Sequence, residues 1–220
     1  MIDGGHRVLS VGNDVVDIRR TERHHPRFAH RVLSAWELDT FASKGKTDPL
    51  LLWKMWAAKE AAYKDLKRYH QALVFSPRRF EIDFDNGTAR SQDTGEALAI
   101  QTFTGDNWVY CTANSTKGVK IVSYLSDVSQ IKKFGDIDND SKLSKLSQQV
   151  RILARAAAAK EFSLPLDKIE IKTSPTSKAP SLRLGDNKDL LPLSLSHHGD
   201  YLAAAWAVPN ATFSSIICSL

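Results

Sequence analysis

Trp56-Ala-Ala-Lys59-Glu60 and Ala157-Ala-Ala-Lys160-Glu161 decide the reading of the fold, because each lies in a helix-forming run and the same signals follow each in the same order. Phe80-Glu-Ile-Asp83 echoes Ile169-Glu-Ile-Lys172, and Gly105-Asp-Asn-Trp-Val-Tyr-Cys-Thr-Ala113 echoes Gly199-Asp-Tyr-Leu-Ala-Ala-Ala-Trp-Ala207. Val8-Leu-Ser-Val11 and Lys120-Ile-Val-Ser-Tyr124 stand at equivalent starts. Ala-Lys-Glu recurs in helices by chance, so one match says little, whereas three in one order imply a duplication. A spacing of roughly a hundred residues is too long for a solenoid repeat. The expectation is an α+β fold: a pseudo-dimer of two α+β units, residues 1–117 and 118–220, each a small antiparallel sheet packed against a long helix.

Working outward, Asp48 and Pro49 mark a helix start, and Leu50 to Leu66 carries strong helix formers throughout. Arg27 to Phe41 has helical spacing at Phe28, Val32, Leu33, Trp36 and Phe41. Arg7 to Ile18 reads as extended and broken at Gly12-Asn13. From Phe80 to Tyr124 the β-branched and aromatic content rises between turn signals at Asn86-Gly87, Thr94-Gly95, Gly105-Asp106 and Lys117-Gly118, as in a run of antiparallel strands. Gly135 to Gln149 reads as a polar loop leading into an Ala-rich helix, Gln149 to Phe162.

Hydrophobic residues make up 42% and charged residues 25% of the 220 residues, which fits a folded globular protein and excludes a fibrous or disordered one. Two cysteines, Cys111 and Cys218, cannot build a disulfide framework, so a reducing compartment, the cytoplasm, is expected. No apolar run has the ~18 residues of a membrane span. The net charge of +5 is concentrated: between Arg19 and Arg31 lie Arg19, Arg20, Arg23, Arg27 and Arg31 with three histidines, against the single acid Glu22. An anionic partner follows, whether a phosphorylated small molecule, an acidic protein or a nucleic acid.

Three pieces carry chemistry. Glu60 and Lys64, four apart, share a helix face with Trp53 and Trp56 on or near it, although an exposed pair of this kind is worth only ~0.3 kcal/mol. Asp14 is flanked by Val15, Val16 and Ile18, and a carboxylate buried there needs a cation or a donor. Leu193-Ser-Leu-Ser196-His197-His198 alternates as a half-buried strand ending in imidazoles able to hold phosphate oxygens. Adjacent histidines on a strand face opposite ways, which argues against a shared metal.

Together these pieces resemble the 4′-phosphopantetheinyl transferase superfamily, whose signature pairs Gly-x-Asp with Trp-x-x-Lys-Glu-Ala-x-x-Lys; here they stand as Gly12-Asn13-Asp14 and Trp56-Ala-Ala-Lys59-Glu60-Ala-Ala-Tyr-Lys64. Arg27 to Leu38 is similar to that family's basic stretch leading into Leu-Ser/Thr-x-x-Glu. Ser177-Lys178-Ala179-Pro180 resembles its Gly-Lys-Pro motif, and Ser194-Leu-Ser-His197 its Ser-x-Ser-His strand. The resemblance touches most of the chain except Phe75 to Gln149. Because the first half keeps the acids and the second the histidine strand, it implies one composite site at their junction.

The resemblance implies transfer of the 4′-phosphopantetheine arm of coenzyme A to a serine of an apo acyl or peptidyl carrier protein, with release of 3′,5′-ADP. Carriers of fatty-acid, polyketide or nonribosomal peptide synthesis all fit. It implies Mg²⁺, or Mn²⁺, held by Asp14 and Glu60, with Asp17 a further ligand although a regular strand turns it to the other face. Lys64 would stabilise phosphate charge or help remove the serine proton, with Glu60 or a metal-bound water as base. Lys178, Ser196 and His197, with Arg151 and Arg155 nearby, would hold coenzyme A. Arg23, Arg27 and Arg31, four apart, would dock the carrier protein on a chain active as a monomer. A non-catalytic carrier-binding protein or a nucleic-acid-binding protein would use the same arginines; no zinc finger or aromatic RNA-binding signature accompanies them, and nucleic acid is not expected as the partner.

Overall fold

Gly12–Asp17 forms a strand, β1, that runs unbroken through the Gly-Asn pair. The computed structural model describes residues 9–21, 27–131, 143–187 and 189–210. Gly12 is there for proximity: a Cβ at this position would overlap the carbonyl oxygen of Ala61, so glycine lets the strand lie directly on the long helix beneath it.

Two helices follow, α1 (Phe28–Val32) and α2 (Ala35–Lys44), where the sequence spacing predicts one. The break has a local cause. Ser34 accepts from Glu37 N at 3.3 Å while the Glu37 carboxylate accepts from Ser34 N at 2.8 Å, a reciprocal cap that starts a new helix. Helix α3 (Leu51–Leu66) packs Ala57, Ala58, Ala61, Ala62 and Leu66 against one face of a five-stranded sheet. That sheet contains β1, β2 (Phe80–Asp83), β3 (Thr88–Ser91), β4 (Ala97–Gly105) and β5 (Trp108–Asn114), in the order β1-β5-β4-β3-β2.

The second half repeats the plan. After β6 (Val119–Asp127) and the short α4 (Val128–Ile131), helix α5 (Lys145–Glu161) begins four residues before the Ala-rich run, capped by Ser144. It packs Ala154, Ala157 and Ala158 on a sheet of β6, β7 (Ile169–Thr173), β8 (Pro180–Leu184), β9 (Leu190–His198) and β10 (Tyr201–Pro209). The order there is β6-β10-β9-β8-β7, the same topology as in the first half. The chain is therefore an α+β protein of two similar units, as the duplicated signals predict.

The units meet through small and aromatic side chains on the sheet faces away from the helices. Val11 touches Ala205 and Ala207, and Val15 lies against Tyr110 and Ala203. β1 pairs with β5 along one edge only, so its other edge carries buried N–H groups that need acceptors. β9 supplies them from side chains. Asn13, Val15 and Asp17 donate to Ser194 Oγ (2.9 Å), Ser196 Oγ (3.1 Å) and His198 Nδ1 (2.9 Å). The period of two along a strand puts those three acceptors on one face of β9.

Candidate active site

A cavity of about 580 Å³ opens where β1 and α3 of the first unit meet the end of β9. Asp14, Arg20, Phe28, Trp53, Trp56, Glu60 and Lys64 line it from the first unit, and Ser196, His197 and His198 from the second. Asp14 Oδ1 accepts from Ser196 Oγ and from Lys64 Nζ, each at 2.8 Å, and Lys64 also reaches the Asn13 carbonyl at 3.0 Å. The Glu60 side chain makes no hydrogen bond or ion pair with the described residues. Burial pushes its carboxyl up to about 7, opposed by Lys64 and reinforced by Asp14.

A family profile described as the 4′-phosphopantetheinyl transferase superfamily matches residues 10–113. The chain is 43% identical over 98 residues to a holo-[acyl-carrier-protein] synthase of Vibrio vulnificus (strain CMCP6), a stretch covering 42% of this chain and 76% of that protein. The chain belongs to the 4′-phosphopantetheinyl transferase superfamily. Its two signature segments, Gly12-Asn13-Asp14 and Trp56 to Lys64, both fall within the matched residues, and the Ser-x-Ser-His strand lies outside them.

In this transferase-superfamily chain the sequence-predicted site residues divide into those the fold brings together and those it does not. Asp14, Glu60, Lys64, Ser196 and His197 share the cavity. Burial, with Lys64 close by, lowers the His197 pKa, and its Nε2 lies 3.5 Å from Ser147 Oγ on α5. Lys178 lines an adjoining hollow of about 200 Å³ that shares Lys64 and Leu195 with the first. Asp17 is turned away, its carboxylate taken by Arg19 and the Asp200 backbone N–H. Arg151 and Arg155 line a separate cavity beside β7, and Arg155 is bonded to the carbonyls of Ile169 (2.9 Å) and Leu166 (3.0 Å). Arg27 and Arg31 are exposed, one turn apart at α1, with Arg31 N bonded to Arg27 O at 3.3 Å. Arg23 lies outside the described residues.

Lys59, inside the signature, faces the core rather than the cavity. Its ammonium, 0% exposed, donates to Glu37 and to the carbonyls of Pro77 (2.9 Å) and Phe80 (2.6 Å), tying α3 to α2 and β2. Burial lowers its pKa, and Glu37 acts against that. Sequence reasoning counted Arg20 only within the basic run and did not single out Lys67 or Arg68. The last two line the hollow beside Lys178, and their signal was the basic run continuing three and four residues past Lys64. In the repeat, the Glu161 carboxylate is already taken by Tyr124 Oη (3.0 Å) and Lys120 Nζ (3.5 Å).

Proposed function

We propose that this chain transfers the 4′-phosphopantetheine arm of coenzyme A to a serine hydroxyl of an apo carrier protein, releasing 3′,5′-ADP. One observation supports it most: two acids and a lysine from the first unit and a serine-histidine strand end from the second converge in one cavity. The name of the Vibrio vulnificus relative favours an acyl carrier protein over a peptidyl carrier.

The donor set suits Mg²⁺ or Mn²⁺. Such a cation takes oxygen ligands, few of them from protein, and Asp14 and Glu60 offer oxygens, the Glu60 carboxylate having no hydrogen bond among the described residues. These two would hold the ion, which when bound would neutralise charge on the pyrophosphate. Lys64, fixed on Asp14, adds positive charge where the leaving 3′,5′-ADP gathers negative charge. His197 and Ser196 stand where the pyrophosphate would lie, and Lys178 in the adjoining hollow is placed for a more distant phosphate. The serine oxygen attacks the phosphorus nearer the pantetheine, the bond to 3′,5′-ADP breaks, and the serine proton passes to a base in the cavity. Glu60, whose carboxyl burial raises to about 7, is the candidate for that base, and would take the proton on a carboxylate oxygen that the ion does not use.

A single chain supplies both sides of the cavity, so we read the active form as a monomer of units 1–117 and 118–220. No helix of the described residues is long and apolar enough to cross a membrane. The paucity of cysteines is what supports a reducing compartment, the cytoplasm. The deciding experiment incubates it with coenzyme A, Mg²⁺ and a panel of apo carrier proteins. The expected result is a carrier mass gain of one phosphopantetheine arm; no gain on any carrier would overturn the reading.

A further inference from the structure

Asp17 ends β1 three residues past Asp14, and its side chain is 0% exposed. Every oxygen of that carboxylate is used. Oδ1 accepts from Arg19 N (3.1 Å) and Arg19 Nε (3.0 Å); Oδ2 accepts from Arg19 Nη2 (3.0 Å) and from Asp200 N across the unit junction (3.0 Å). Its own N–H donates to His198 Nδ1. Arg19 Nη2 also reaches Asp200 Oδ2 at 3.1 Å and the guanidinium lies over the Tyr201 ring at 5.3 Å, while Arg20 Nη2 lies 3.4 Å from Asp200 Oδ1.

The turn between β9 and β10 is shaped to accept this carboxylate. Gly199 has φ +55°, a conformation that side-chain-bearing residues rarely adopt, and a Cβ there would collide with Asp17 Oδ2. A surface ion pair has no reason for zero exposure, a bidentate guanidinium and a backbone donor from another unit. Burial works to raise the Asp17 carboxyl, yet the hydrogen bonds from Arg19 and Asp200 hold it below the usual carboxylate range.

Ser196, His197 and His198 immediately precede that turn, and Arg20 follows Asp17 in the same loop; all four line the cavity. We propose that Asp17 is a positioning residue, a latch that fixes the end of β9 against the end of β1 and so sets how His197 and Arg20 meet the phosphates of coenzyme A. This role rests on the transferase reading. It differs from cation binding, because the latch points away from Asp14 and Glu60.

The test compares wild type with Asp17→Asn, which keeps the size and one acceptor, and with Arg19→Gln, a half-exposed position that removes the latch from its other side. Coenzyme A affinity is measured by calorimetry, and the KM values for coenzyme A and carrier and the half-saturating Mg²⁺ concentration by the transfer assay. Asp17→Asn should weaken coenzyme A binding and raise its KM about tenfold, with carrier KM and Mg²⁺ requirement within twofold of wild type. Arg19→Gln should shift the same parameters by less. A raised Mg²⁺ requirement with coenzyme A affinity unchanged would make Asp17 a cation ligand and overturn the proposal. A uniform loss in all parameters that tracks a lower melting temperature would do the same by reducing Asp17 to a fold residue. If the wild type neither binds coenzyme A nor transfers, the transferase reading fails separately. The latch is then read from the ¹⁵N shifts of His198, and Nδ1 remaining a fixed acceptor in Asp17→Asn and Arg19→Gln would overturn it.

Discussion

Ser196 Oγ holds Asp14 in place from the opposite unit, donating to Asp14 Oδ1 at 2.8 Å while accepting the Val15 N–H at 3.1 Å. One hydroxyl thus joins the strands and aims the acid. Removing it leaves a buried N–H without an acceptor, a cost of about 1–3 kcal/mol, and frees the carboxylate to follow Lys64 alone. We expect Ser196→Ala to lower the melting temperature by a few degrees and the transfer rate at least tenfold, whereas Ser196→Thr, which keeps the hydroxyl, should retain most activity. Wild-type turnover in Ser196→Ala would show that Asp14 needs no help from β9.

The Lys59–Glu37 pair should govern stability and not chemistry, although Lys59 sits in the signature beside Glu60. Both side chains are 0% exposed, and Glu37 also accepts from Ser34 N and Ile82 N. Breaking one partner of a buried pair costs about 3–5 kcal/mol because the other charge is left stranded. Lys59→Met should therefore unfold at much lower denaturant, and Glu37→Gln in the same chain should recover part of the loss. Chemical denaturation of the single and double variants measures this, and an additive double variant would mean that the two residues do not act as a pair.

The duplication was legible because helix and strand periodicities survive in both halves: Trp56 to Glu60 and Ala157 to Glu161 fall on α3 and α5, and Phe80 to Asp83 and Ile169 to Lys172 on β2 and β7. That Glu60 and Lys64 share a face was legible from helix spacing, and Asp14 was singled out through the resemblance of its Gly-x-Asp segment; the structure brings all three to one cavity. Asp17 and Arg155 were harder, since their groups are claimed by tertiary partners, Asp200 N and the carbonyls of Leu166 and Ile169. Spacing on an element says which face a side chain shares, not what the rest of the chain has placed opposite it. Gly12 misled for the same reason: it reads as a turn residue until α3 is seen to need the room.

Glu60 gives a pH-dependent test that needs no substrate. Burial raises it from 4.5 to about 7, so the folded protein binds a proton that the unfolded chain has released over that window. Stability from this group is full below about 4.5 and is lost as pH rises through 7. Glu60→Gln should thus melt higher than wild type at pH 8 without divalent cations, by about 2–4 °C for each kcal/mol recovered, with the gain gone by pH 5. Mg²⁺ at pH 8 should raise the melting temperature of wild type and not that of Glu60→Gln. An equal gain at both pH values would trace the effect to packing instead of charge.

Arg27 and Arg31 give the test of the carrier surface. They lie one turn apart and exposed at α1, whose partly buried Phe28 lines the cavity and packs against Trp53 and Trp56, so a carrier docked on them would rest on an element that also forms the cavity wall. Trp36, 56% exposed at the start of α2, offers apolar area on the helix that follows. Charge complementarity of this kind acts mainly on encounter rate and orientation, and it weakens as salt shortens the Debye length to about 8 Å near physiological strength. Reversing both to glutamate should raise the KM for an acidic carrier several-fold, leave that for coenzyme A unchanged, and flatten the salt dependence of the reaction. Steady-state kinetics with each substrate varied in turn, at low and high salt, separates the outcomes. Equal losses for both substrates would move the arginines into the coenzyme A site, and unchanged kinetics would move carrier docking to another face of the protein.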